Sequence, residues 1–170
     1  MSRAIGRPHF IDVHQNTMEP ERLAEAQKEI RTLFDNQPFA VLATQGDGIT
    51  DASLVTIAVS EDLRNIVFAT PIRTGKYDFI AANENVSILV DDRTLHQNDI
   101  NQISALTVFG KAKILSSDEE TKRWGKLLID QHPELAEFVQ APTSAVILVK
   151  VTRYLYVKHF QNLMEWNPDD

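Results

Sequence analysis

One ten-residue stretch concentrates the residues able to do chemistry, Phe68-Ala69-Thr70-Pro71-Ile72-Arg73-Thr74-Gly75-Lys76-Tyr77. An apolar strand ends at Thr70, a proline turn follows, and a helix begins near Thr74. The first turn of a helix leaves backbone N–H groups without partners and carries partial positive charge. Thr74 adds a hydroxyl, and Arg73 and Lys76 add two cations within one turn. Free amides, a hydroxyl and two cations suit a phosphate monoester dianion. The same residues also suit a capped surface helix with solvated charges.

The remaining polar residues point to no second chemistry. Histidines stand at 9, 14, 96, 132 and 159, and none lies in a close metal-binding pattern, so no metal site is expected. Asp91-Asp92-Arg93 reads as a strand end, Glu119-Glu120 as a solvated first helical turn, and Trp124, Leu127, Leu128 and Leu135 as helix packing. No Ser–His–Asp order and no glycine-rich phosphate loop is found. The chain lacks cysteine, which removes disulfides, thiolate catalysis, iron–sulfur clusters and Cys-based zinc sites together.

The 170 residues fit one domain, and 43% of them are hydrophobic. A net charge of −7 disfavours nucleic acid and anionic membranes as partners. No apolar run is long enough to span a bilayer, and residues 1–19 lack the apolar core of a signal peptide. A cytoplasmic protein is expected.

The elements that must position the phosphate stretch follow from periodicity. Residues 1–19 show no period and read as an N-terminal arm, and 20–170 as a single domain. Leu23, Ala26, Ile30 and Phe34 form one face of a helix over 20–36, opened by Pro20 and ended by Pro38. Strands are predicted at 39–44, 52–59, 66–70, 86–90, 105–115 and 145–151, with 154–158 continuing or returning the last. Gly46-Asp47-Gly48 fits a hairpin turn. Helices are predicted at 74–83 and 118–131, with a short one after Pro133, and Ser117 with Glu120 matches a capping box. Six strands with short connections and peripheral helices imply a mainly β, antiparallel barrel. Strands 39–43 and 145–149 are apolar on consecutive residues, so something must cover their outer faces. Helices can cover part, and a twofold homodimer the rest.

The order of short motifs adds a resemblance. "A-x-L-A-T", a Gly–Asp turn, "A-S-L-V", an "F-x-T" strand end, "R-T-x-K-Y" and "N-x-x-V-S-I-L-V-D" follow one another, and "ALTVFGKAKIL" comes after. Over residues 37–115 this series resembles the pyridoxamine 5'-phosphate oxidase-like, FMN-binding split barrels. The resemblance implies a six-stranded antiparallel split β-barrel and a homodimer with FMN at the subunit interface. It implies that Ser53, Leu54, Val55 and Thr56 lie along the isoalloxazine edge through backbone groups. Thr70 would sit beneath the flavin, and Arg73, Thr74 and Lys76 would hold its phosphate. Tyr154, Tyr156, Phe160 and Trp166 are candidates to complete the pocket, with Gln161 for a polar contact.

The chain also departs from that family. Oxidases of vitamin B6 carry an Arg and a Lys on the strand matching 52–57, which here is Ala-Ser-Leu-Val-Thr-Ile, and a late Arg–His motif, whereas no arginine follows Arg153. Both absences argue against vitamin B6 oxidation. The resemblance then implies an FMN-dependent oxidoreductase of another kind, with no catalytic acid or base assigned. The alternatives are a non-catalytic flavin carrier or redox stress protein, a haem-binding split barrel with His159 as axial candidate, and a deazaflavin protein.

Overall fold

The fold is a computed structural model in which residues 20–158 and 162–169 are described. The expected N-terminal arm, His159, Phe160 and Gln161 lie outside them. The order is α1 (Pro20–Asn36), β1 (Phe39–Gly46), β2 (Ile49–Thr56), β3 (Ala58–Val59), β4 (Asn65–Pro71), α2 (Gly75–Ala82), β5 (Asn85–Asp91), β6 (Ser104–Ile114), α3 (Asp118–Gln131), α4 (Ala136–Gln140), β7 (Ser144–Lys158) and β8 (Asn162–Trp166). No described helix is long and apolar enough to cross a membrane.

All eight strands join one antiparallel sheet in the order β2-β1-β5-β6-β7-β4-β3, with β8 paired to β7. The two ends of that path, β2 and β3, are separated in the chain by Ile57 alone. The strand predicted over 52–59 is therefore one bent strand, and counting it once gives the six expected barrel strands. The additional one is β8, a short return paired to the far half of β7. Residues 144–158 form one continuous strand, and opposite Phe109–Gly110 of β6 its register slips by the one residue Thr152.

Local chemistry explains the main turns. Asp47 and Gly48 both take positive φ, 51° and 77°, as a two-residue hairpin with right-handed strand twist requires. Ser117 accepts the N–H of Glu120 at 3.5 Å and caps α3. The other half of the expected capping box does not form, because the Glu120 carboxylate pairs with Lys113 at 3.0 Å.

The barrel interior is filled by alternate residues, including Leu42, Ile66, Phe68, Ile88, Leu106, Ile147 and Val149, and α1 closes it with Ile30, Leu33 and Phe34. A second cluster, with Ala58, Val67, Leu128, Val139 and Val146, seats α3 and α4 on the outer face of β4 and β7. That covers the apolar run 145–149. On the run 39–43 no described helix seats on the outer face, and Phe39 is 56% exposed.

Tyr154 and Trp166 belong to the packing. Tyr154 is wholly buried, stacks on Trp166 with centroids 5.2 Å apart, and donates its hydroxyl to the carbonyl of Leu63 at 2.6 Å. That bond holds a buried leucine at φ 59°, a left-handed conformation that side chains disfavour. Tyr156 is also buried.

Gly46 faces Phe79 of α2 so closely that a Cβ there would overlap the ring. Gly46→Ala should cost about 1–3 kcal/mol in chemical denaturation, and Phe79→Leu in the same chain should recover part of it. Burial pushes the Tyr154 phenol well above its usual range. The unfolded chain ionises near pH ~10 while the folded one keeps the proton, so stability should fall as pH rises beyond that value. Tyr154→Phe should flatten this alkaline slope, whatever it costs at neutral pH.

Candidate split-barrel site

The site begins where pairing fails. β3 pairs with β4 at Ala58↔Val67 and Val59↔Ile66. On the other side of Ile57, β2 pairs with β1 as far as Phe39↔Thr56. Among the described residues no ladder joins β2 to β4, although the two strands stay in contact. Their facing edges bound an opening with its apex at Ile57.

Register decides which backbone groups face that opening. The Ile57 N–H goes to the Pro38 carbonyl at 3.1 Å, so odd-numbered residues of β2 spend their backbone groups on β1. Ser53 and Val55 are among them. Leu54 and Thr56 turn their N–H and C=O to the opening instead. On β4, the Asn65 carbonyl accepts the Ser60 N–H at 2.9 Å and the Ile72 N–H goes to Thr143 at 3.0 Å. Ala69 and Pro71 therefore face the opening, and Pro71 lacks an N–H. Sequence reasoning placed Leu54 and Thr56 here but missed Ala69, whose signal is parity along a strand rather than residue type.

The side chains divide similarly. Leu54 is 67% exposed and points outward, whereas Val55 is buried in the barrel. Ser53 donates to Asp51 at 2.9 Å, and Thr56 is half-buried.

At the end of β4, Thr70 is 1% exposed, and its hydroxyl lies 3.2 Å from that of Thr74. Thr74 is the N-cap of α2: its oxygen accepts the Tyr77 N–H at 3.4 Å, and its proton goes to the Pro71 carbonyl at 3.0 Å. With that proton committed, Thr70 is the donor to Thr74. The first-turn amides of Gly75 and Lys76 have no acceptor within the helix. Gly75 is exposed and a Cβ on it would meet nothing within 4 Å, so the surface at the helix start is open. Arg73 is exposed, Lys76 is half-buried, and neither pairs with a described carboxylate. Two unneutralised cations beside free amides and an open surface fit an anionic group such as the FMN phosphate. The structure thus brings Thr70, Arg73, Thr74 and Lys76 together at one corner of the opening, with Leu54 and Thr56 on the facing strand.

Two other clefts share no lining residue with this corner. One of ≈350 Å³ sits between α1 and the start of β6, floored by Ser104 and Tyr156 and walled by Glu25, Glu29 and Asp92. The other, of ≈290 Å³, is a polar furrow across β1, β5 and β6 beside Phe109. On that same outer face Arg153 lies 4.1 Å above the Phe109 ring and pairs with Glu165.

Comparison with known proteins fits this architecture. The chain superposes on a haem-binding protein from Mycobacterium smegmatis with a TM-score of 0.74 and 19% identity, covering 85% of this chain and 58% of that one. It therefore spans less than two thirds of that relative. General stress protein 26 from Bacillus anthracis gives 0.63 at 17% identity, covering 84% of this chain and 98% of that one. HutZ, a haem storage protein from Vibrio cholerae, gives 0.60 at 15% identity, covering 73% and 88%. Likeness at such identities establishes the fold alone. No curated protein matches by sequence. The profile of the pyridoxamine 5'-phosphate oxidase family matches residues 26–158, most of the barrel, and the chain belongs to that family.

Proposed function

We propose that the protein binds FMN at the opening between β2 and β4 and acts as a flavin-dependent oxidoreductase other than a vitamin B6 oxidase. The observation that carries this is the corner at α2, where Arg73, Lys76 and the free amides of Gly75 and Lys76 stand at an open surface. Bound FMN would supply a ring that takes up a hydride or electrons. The chain would hold its phosphate through Arg73 and Lys76 as charges and through the helix amides as donors. Leu54, Thr56 and Ala69 would offer backbone groups to the ring edge.

A second copy of the chain would complete the pocket. Leu54, Val41 and Leu89 lie in register across β2, β1 and β5 and form a bare apolar row on the outer face. A twofold partner covering that row would also wall the opening, because Leu54 belongs to both.

Haem is the second reading, favoured by the haem-binding and haem-storage neighbours. Of the described histidines, His132 bonds the Ile57 carbonyl at 2.8 Å and His96 lies 3.5 Å from Asp92. Both side chains are thus engaged, and His159, the axial candidate read from the sequence, lies outside the described residues.

Titration of purified protein with FMN and with hemin, followed by gel filtration, separates the readings. The flavin reading expects a retained flavin spectrum at one FMN per chain, and a Soret band alone overturns it. Lys76→Ala should weaken FMN binding by about 1.5–3 kcal/mol, the worth of a hydrogen bond to a charged group. Arg73→Ala should do likewise, and the two losses need not add. Unchanged affinity would remove the residue from the site.

A further inference from the structure

The apex of the opening is held from outside the sheet. Beyond Phe39, β1 ends, and the bent strand loses its neighbour on that side. Two side chains at the end of α3 take the missing strand's place. The Gln131 amide accepts the Val59 N–H at 3.3 Å and donates to the Val59 carbonyl at 3.2 Å. That is the double bond exchange of an antiparallel residue pair. Next to it, His132 Nε2 lies 2.8 Å from the carbonyl of Ile57. Since a carbonyl only accepts, the ring must donate there through Nε2–H. The Ile57 N–H is already bound to Pro38 at 3.1 Å. Ile57 is thus pinned at both ends, by the start of β1 and by the end of α3.

This matters because of where Ile57 stands. The direction of its carbonyl is the direction of the peptide plane joining Ile57 to Ala58. About that plane the chain leaves the ladder with β1 and enters the ladder with β4. Fixing it fixes how far β2 diverges from β4. His132 is well buried, with only 12% of its side chain exposed, and Leu128, one turn earlier, is wholly buried in the cluster that seats α3. The two bonding groups therefore stand on a rigid support.

We infer that Gln131 and His132 are positioning residues which set the width of the β2–β4 opening and thereby its fit to the bound cofactor. The part concerning the cofactor rests on the function proposed above, and the part concerning the opening does not.

The absence of cysteine permits a direct test. Spin labels at Ala52→Cys on β2 and Ile72→Cys beyond β4 report the width of the opening, with labelled chain diluted in unlabelled chain. His132→Leu and Gln131→Met should each broaden the distance distribution and raise the FMN dissociation constant about tenfold, the effect of one lost hydrogen bond. His132→Gln keeps an N–H donor at similar reach and should restore both readouts, which a purely structural loss of the ring would not allow. Lys126→Ala, on the exposed face of α3, should change neither. An unbroadened distribution in both loss variants overturns the inference, as does an equal defect in His132→Gln. Broadening with unchanged FMN affinity overturns its cofactor part. If the unsubstituted protein takes up no FMN, the proposed function falls, and the distance distributions alone decide the width claim.

Discussion

A strand in a closed sheet must satisfy two edges at once, and the strand running from Ile49 to Val59 cannot keep both neighbours along its length. Up to Thr56 it is bonded to β1, and from Ala58 it is bonded to β4. Ile57 is the only residue at which the exchange takes place. The opening between β2 and β4, where the cofactor is proposed to bind, follows from that change of partner. Short of the apex, β2 and β4 each carry a free edge, and unpaired backbone groups on a free edge must find water, a ligand or another chain. Because the two edges face one another, a planar molecule with donors and acceptors on its rim can satisfy both.

The corner at α2 supplies what the free edges lack. Backbone groups along two strands carry little net dipole, so on their own they would not favour an anion in a protein of net charge −7. The helix amides and the charges of Arg73 and Lys76 place a local positive field at one end of the opening. The seat of α2 is fixed by the close approach of Phe79 to Gly46 and by the Thr74 cap. Two independent contacts thus hold the helix end at the split, one of packing and one of hydrogen bonding.

Much of this was legible in the sequence where the cause is local. Alternation and helical spacing located every barrel strand and three helices to within a few residues, and the Asp47-Gly48 turn and the Thr74 helix start were read from residue type. What the sequence could not show has nonlocal causes. Tyr154 looked like a pocket residue because an aromatic ring near a strand end suits either role, and only the carbonyl of Leu63, 91 residues away, makes it core. Glu120 suited a capping box, but Lys113 on β6 competes for its carboxylate. Ser53, Leu54, Val55 and Thr56 were read as one group because a motif cannot show which residues of a strand bond to the left and which to the right. The role of Gln131 and His132 at Val59 and Ile57 spans more than 70 residues, and no local pattern announces it.

The most direct test of the central claim is to map where FMN binds. Backbone amide shifts of isotope-labelled protein, recorded during titration with FMN, report contact residue by residue without a mutation. The account predicts that the largest shifts fall on Leu54, Thr56 and Ala69 along the two edges and on Arg73 to Lys76 at the corner. Shifts gathered instead around Ser104 and Tyr156 in the α1 cleft, or along the furrow at Phe109, would contradict it.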